Sequence, residues 1–158
     1  LEHAVAEREE RLGGGVGIRR TNRDLVDVLR AERDAGSPRQ RLSNSAVRLQ
    51  IADCTTATEV SVLLSYRLVS QQVRGVMPNY EASVVKTFRT ELAQRMANTA
   101  VKALGLYGLL VGEERPETVM RGKWTHWYLS TACETIGAGT SEIQRNIIAT
   151  RGLGLPRS

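Results

Sequence analysis

Apolar residues recur at intervals of three and four through most of the 158-residue chain, the period of helices buried along one side. In TNRDLVDVLRAERDAG a polar start at Thr21 leads to Leu25, Val28 and Leu29, and Gly36 supplies a stop. Pro38 opens a longer segment in which Leu42, Ala46, Leu49 and Ala52, then Val60, Leu63, Leu64 and Leu68, keep helical spacing as far as Gly75. This predicts a helix of roughly 35 residues, about 50 Å long at the standard rise. Beyond a turn containing Met77 and Pro78, ASVVKTFRTELAQRMANTAVKALG places Val84, Val85, Phe88, Leu92, Met96 and Val101 on one stripe. A looser, glycine-containing stretch over 106–122 leads to KWTHWYLSTACETI, and a last helix is predicted over about 140–150. The sequence contains no internal repeat and no alternation that would support a sheet. Two long helices joined by a short turn must lie antiparallel, so the expected fold is all-α, an up-down helical bundle of about four to five helices.

Composition narrows this picture. A hydrophobic content of 41% in a chain of this length allows one domain, spanning 1–158, to bury a core. The opening LEHAVAEREERL reads as a helix already under way, which predicts the C-terminal part of a longer chain. No apolar run approaches the roughly 20 residues that span a bilayer, and no signal-like start is present, so a soluble, cytoplasmic protein is expected. Cys54 and Cys133 lie far apart and outside metal-ligand spacing, which predicts free thiols and no metal site. The net charge of +5 comes from basic residues scattered singly among Glu and Asp, and aromatic residues make up only 4%. That pattern argues against nucleic acid and for solvated helix faces with anchors for an anionic ligand.

Candidate chemistry concentrates in GAGTSEIQRN, residues 137–146. Thr140 or Ser141 can cap the last helix, with Ser141 and Gln144 at capping-box spacing. Gly137 and Gly139 allow close backbone approach or a positive φ. A helix start with free N–H groups suits an anion such as a pyrophosphate. An ordinary capped helix after a tight turn explains the same spacing.

The string IGAGTSEIQRNIIATRGLGLPRS, 136–158, closely resembles the C-terminal signature of acyl-CoA dehydrogenases, flavoproteins that oxidise acyl-CoA thioesters. The resemblance continues more weakly through RQRLSNSAVRLQIAD, EASVVKTFRTELAQRMANTAVKALGLYG and EERLGGGVG, covers essentially the whole chain, and points to a bacterial branch. It implies a four-helix-type C-terminal domain, preceded in the family by a helical and a small β domain that are absent from this sequence. It further implies FAD bound between the β domain and the bundle, with flavin contacts crossing between subunits. The implied partners are an acyl-CoA substrate, further copies of the chain in a dimer or tetramer or a heteromeric dehydrogenase partner, and an electron-transfer flavoprotein. The implied activity is oxidation to the 2,3-enoyl-CoA in fatty acid or lipid metabolism, and a fragment of this extent is expected to be inactive alone.

Such chemistry needs a carboxylate that removes the acidic pro-R α proton while the β hydrogen leaves as hydride to the flavin. Many family members place this Glu immediately before the Gly-Thr of the signature, where this chain has Ala138. In branched-chain and long-chain members the base sits instead on the first helix of the domain in a Glu-Arg pair, an arrangement that goes with the IGAGTSE form. Here Glu10-Arg11 and Glu7-Arg8 match, and Glu10 is preferred for its distance to DLVDVL. The departure at Ala138 also fits a subunit of a heteromeric dehydrogenase that lacks its own base, and EREERL reads equally as a solvated, charge-laced helix. For the cofactor, Gly139 and Thr140 match the signature and Glu142 stands where the family has Glu or Gln near the flavin. The Arg-Phe-Gly that grips the pyrophosphate is replaced by SPRQRL, in which Arg39, or Arg41 beside it, can take the role. Lys102, near LGLYG, replaces a second cofactor-contacting Gln. His126 is expected to be a packed histidine between Trp124 and Trp127, Tyr107 and Tyr128 bundle packing, and Lys86 part of a solvated helix face. A third class of function is a helical interaction module without cofactor, which predicts a colourless protein whose bundle still self-associates.

Overall fold

The computed structural model of the chain describes residues 15–35, 44–112 and 118–157. Five α-helices are found among them: α1 (Gly15–Asp34), α2 (Ser45–Val73), α3 (Glu81–Leu104), α4 (Lys123–Glu134) and α5 (Ser141–Ile147). Short 3₁₀ turns at Gly105–Leu109 and Val119–Gly122 join α3 to α4, and a π-helical turn, Ile148–Gly152, extends α5. No strand occurs among the described residues. The all-α expectation therefore holds for them.

Side-chain contacts fix the directions. Cys54 meets Thr99 at 3.9 Å, Thr58 meets Met96 at 3.6 Å and Gln71 donates to Glu81, so α2 and α3 run antiparallel as expected. Asn22 donates to Thr55 at 3.1 Å and Arg19 pairs with Glu59, which sets α1 antiparallel to α2. Lys123 at the start of α4 bonds Asp24 of α1 at 2.5 Å. The core falls into two clusters. Leu25, Leu29, Ile51, Ala100, Leu104 and Trp124 fill one, and Ile18, Cys54, Ala57, Leu92, Ala93 and Met96 fill the other.

Helix limits differ from the periodicity in physically clear ways. Thr21 does not start a helix: it lies inside α1 and its hydroxyl donates back to the Gly17 carbonyl. The long helix has 29 residues, capped by Asn44, whose side chain accepts from the Ala46 N–H at 2.9 Å. Gly36, Pro38 and Leu42 lie outside the described residues. Glycine at 105, with φ 58, ends α3 as expected.

The larger correction concerns which side of α2 is inside. The expected stripe is outward, with Leu49 71% and Leu63 66% exposed. The buried stripe runs through Ile51, Cys54, Thr58, Ser61, Ser65 and Val69. The Thr58 and Ser65 hydroxyls tolerate this burial because Thr58 donates to the Cys54 carbonyl and Ser65 to that of Ser61, one turn back. On this stripe Cys54 and Ala57 pack in one cluster with Ala93 of α3, and Ile51 in the other with Ala100 and Ala103.

Candidate functional site

The signature residues form a turn between α4 and α5. Thr135 ends α4, and the Cys133 carbonyl accepts from both Ile136 and Gly137 N–H, at 3.1 and 2.8 Å. Ala138 and Gly139 then take positive φ angles of 55 and 88. The Ser141 N–H returns to the Thr135 carbonyl at 3.1 Å, which closes the turn. A left-handed alanine is strained by roughly 1–2 kcal/mol, so neighbouring groups must hold it.

Three side chains do so. Gln144, buried on α5, donates from Nε2 to the Ala138 carbonyl at 2.8 Å. Lys86 of α3 donates from Nζ to the Gly139 carbonyl at 2.7 Å and to the Thr135 carbonyl at 3.4 Å. Gln94, two turns further along α3, donates to the Thr131 carbonyl at 3.3 Å and to Thr135 Oγ1 at 3.1 Å. An Arg145–Glu91 pair at 2.5 Å ties α5 to α3 as well. Gly139 is required here twice over, by its φ and because a Cβ would lie 2.8 Å from Gln144 Nε2.

Thr140 is the cap of α5, accepting from the Ile143 N–H at 3.4 Å, while Ser141 is buried in the first turn. The Glu142 carboxyl is held below its ordinary value first by a hydrogen bond from its own backbone N–H, then by the Thr140 hydroxyl, with Arg145 and Lys86 adding attraction. These bonds answer the question the motif poses. The Ser141, Ile143 and Gln144 N–H groups are engaged by Thr135 and Thr140 within the chain, the arrangement of a capped helix.

Gly139, Thr140 and Glu142 are thus brought together on one turn, whereas Glu7, Glu10, Arg39 and Arg41 lie outside the described residues. Lys102 stands exposed on the last turn of α3. Sequence reasoning missed Lys86, assigned to a solvated face; it is half-buried, on the same side of α3 as the buried Ser83 and Thr90, a spacing visible in the sequence. His126 is exposed, which corrects the packed reading, while Trp124 is buried and meets Trp127 edge-on with centroids 6.0 Å apart. No group of three or more His, Cys, Asp or Glu side chains able to hold a metal exists among the described residues, and none of their helices is long and apolar enough to cross a membrane.

The turn offers a flat ligand a particular surface. Gly137 and Ala138 are exposed and carry nothing larger than a methyl group, so an aromatic ring can approach the backbone.

Known proteins resemble this chain in both sequence and fold. The family model for the acyl-CoA dehydrogenase C-terminal domain matches residues 9–153. The acyl-CoA dehydrogenase FadE26 of Mycobacterium tuberculosis is 31% identical over 140 residues, covering 86% of this chain and 34% of that protein. IpdE1 of Mycolicibacterium smegmatis, another acyl-CoA dehydrogenase, is 30% identical over 151 residues, covering 92% and 33%. Among solved structures, the Tcur3481-Tcur3483 steroid ACAD superposes with a TM-score of 0.79 at 27% identity, over 91% of this chain and 35% of that one. The ChsE4-ChsE5 complex from Mycobacterium tuberculosis gives 0.71 at 28%, over 87% and 37%. The chain spans about a third of the length of the curated relatives it matches. With the match running through both the bundle and the Ala138–Gly139–Thr140 turn, this chain belongs to the acyl-CoA dehydrogenase family, whose C-terminal domain it represents.

Proposed function

We propose that the chain is the C-terminal domain of an FAD-dependent dehydrogenase that oxidises an acyl-CoA thioester to the 2,3-enoyl-CoA, contributing flavin contacts and an oligomer interface. The observation that carries this reading is the small-residue turn at 137–140, braced by Lys86 and Gln144 so that its backbone stays open to a flat ring. When bound, FAD supplies the two-electron acceptor for the β hydrogen leaving as hydride. Gly139 and Thr140 present backbone to the ring, Glu142 sets the negative edge of the turn, and Arg39 pairs with the pyrophosphate oxygens. Glu10 is the base whose carboxylate takes the α proton. The outward stripe of α2, with Leu49, Val60 and Leu63 exposed opposite the core, supports the interface role, because a helix apolar on two faces belongs inside a larger assembly.

The test is made on the full-length chain that bears this domain. A flavin spectrum that bleaches with acyl-CoA is expected, and Glu10→Gln should lower acyl-CoA-dependent dye reduction by about 10²–10⁴-fold. A colourless chain, or a flavin indifferent to acyl-CoA, refutes the reading. The methyl group at Ala138 favours a second reading, a subunit of a heteromeric dehydrogenase without its own base, and two structural relatives carry paired names. An unchanged rate after replacing both Glu7 and Glu10, with a co-purifying partner, selects it.

A further inference from the structure

We infer that Lys86 is a positioning residue for the flavin-facing turn, fixing the backbone at 135–140 from the opposite helix; this rests on the functional reading above. Its ammonium gathers both ends of the turn, since Thr135 closes α4 and Gly139 precedes the cap of α5. The Thr135 carbonyl sits at a helix C-terminus, where the aligned peptide dipoles leave negative partial charge that a cation suits. A neutral amide in this place would present only two hydrogens, without the charge that strengthens both bonds. Between the two held carbonyls lies Ala138, in the left-handed region with φ 55. Once the Gly139 end is released, Gln144 is the one side chain still bonded to the Ala138 carbonyl among the described contacts, and the exposed surface of the turn can change shape as Ala138 relaxes toward the ordinary basin. Gln94 acts on the α4 side only, through Thr131 and Thr135, so it cannot replace the bond to Gly139. Lys86 is therefore the one side chain from α3 that reaches across the turn to the residue next to Thr140, among the described contacts. Its charge also favours the ionised form of Glu142.

The experiment compares the full-length chain with its Lys86→Met and Lys86→Arg variants by hydrogen exchange without flavin and by equilibrium binding of FAD. Lys86→Met should speed exchange of the amides of Ile136, Gly137 and Ser141 by about tenfold or more while α1 and α2 stay protected. It should weaken FAD binding by roughly tenfold, and Lys86→Arg, which keeps the charge and several donors, should recover most of both effects. Unchanged exchange at the turn overturns the inference. So does exchange that rises alike over the whole bundle with FAD affinity intact, the result for a merely structural lysine. A wild-type chain that binds FAD with an affinity indifferent to Lys86→Met overturns this inference alone. A wild-type chain that takes up no FAD overturns the functional reading and this inference with it.

Discussion

Replacing Gly139 by alanine, and Ala138 by glycine, perturbs two adjacent residues that share a positive φ but differ in what surrounds them. At Gly139 the φ of 88 disfavours any side chain, and the new methyl would lie 2.8 Å from Gln144 Nε2. The left-handed backbone costs roughly 1–2 kcal/mol for an L residue. Pushing the buried Gln144 off the Ala138 carbonyl adds about 1 kcal/mol or more, and the stiffer unfolded chain offsets about 0.4–1 kcal/mol. Gly139→Ala should therefore destabilise by about 2 kcal/mol. Ala138→Gly removes the same backbone strain and has no clash to relieve, so it should stabilise by about 0.5–1 kcal/mol. Urea unfolding followed by helical circular dichroism reads both, provided the slopes match wild type. If Gly139→Ala falls within about 0.5 kcal/mol of wild type and Ala138→Gly is neutral or worse, the left-handed turn is not what holds the signature.

Two further outcomes follow from the packing and the charges. Leu92→Ala, in the core of α3, should destabilise by about 2–5 kcal/mol, whereas Leu63→Ala on the outward face of α2 should leave chain stability nearly unchanged and weaken self- or partner association in sedimentation; equal stability losses refute the assignment of faces. The carboxyls of Glu142 and Glu81 are both held below their ordinary values, each first by its own backbone N–H and then by Thr140 and Asn79 respectively. Folded values below unfolded ones mean stability that is present above the ordinary carboxylate range and lost as pH falls through the folded values. Glu142→Gln should flatten the acid side of the melting-temperature profile, and parallel profiles would show that the contact adds nothing.

Helix content and order were legible because Leu, Val and Met mark the apolar period, and the turns carry Gly and Pro at their borders. The inner face of α2 was not, because period analysis weights Leu49 and Leu63 above Thr58 and Ser65, while burial of the latter is licensed by hydroxyl bonds one turn back that no hydropathy scale records. The sequence narrows the cap to Thr140 or Ser141, and the structure gives it to Thr140, with Ser141 inside the first turn and not the start of a capping box with Gln144. The state of Ala138 was not legible, since an alanine gives no local sign of a positive φ, and its stability depends on Gln144 and Lys86, six and 52 positions away. Lys86 was missed for the related reason that a lysine on a helix is ordinarily solvated, and only tertiary structure brings the turn to it.

The chain has two tryptophans, and both lie on α4, three residues apart, just ahead of the signature turn. One is 1% exposed beneath α1 and α3 and the other borders it edge-on, with the Lys123 ammonium 5.3 Å from the buried ring. Indole emission from this chain is consequently a local optical reporter of α4 docking, in contrast to circular dichroism, which averages over every helix. A red shift that precedes the loss of ellipticity during denaturation would identify α4, and the turn it carries, as the first segment to detach; coincident transitions would show that the turn shares the cooperativity of the whole bundle.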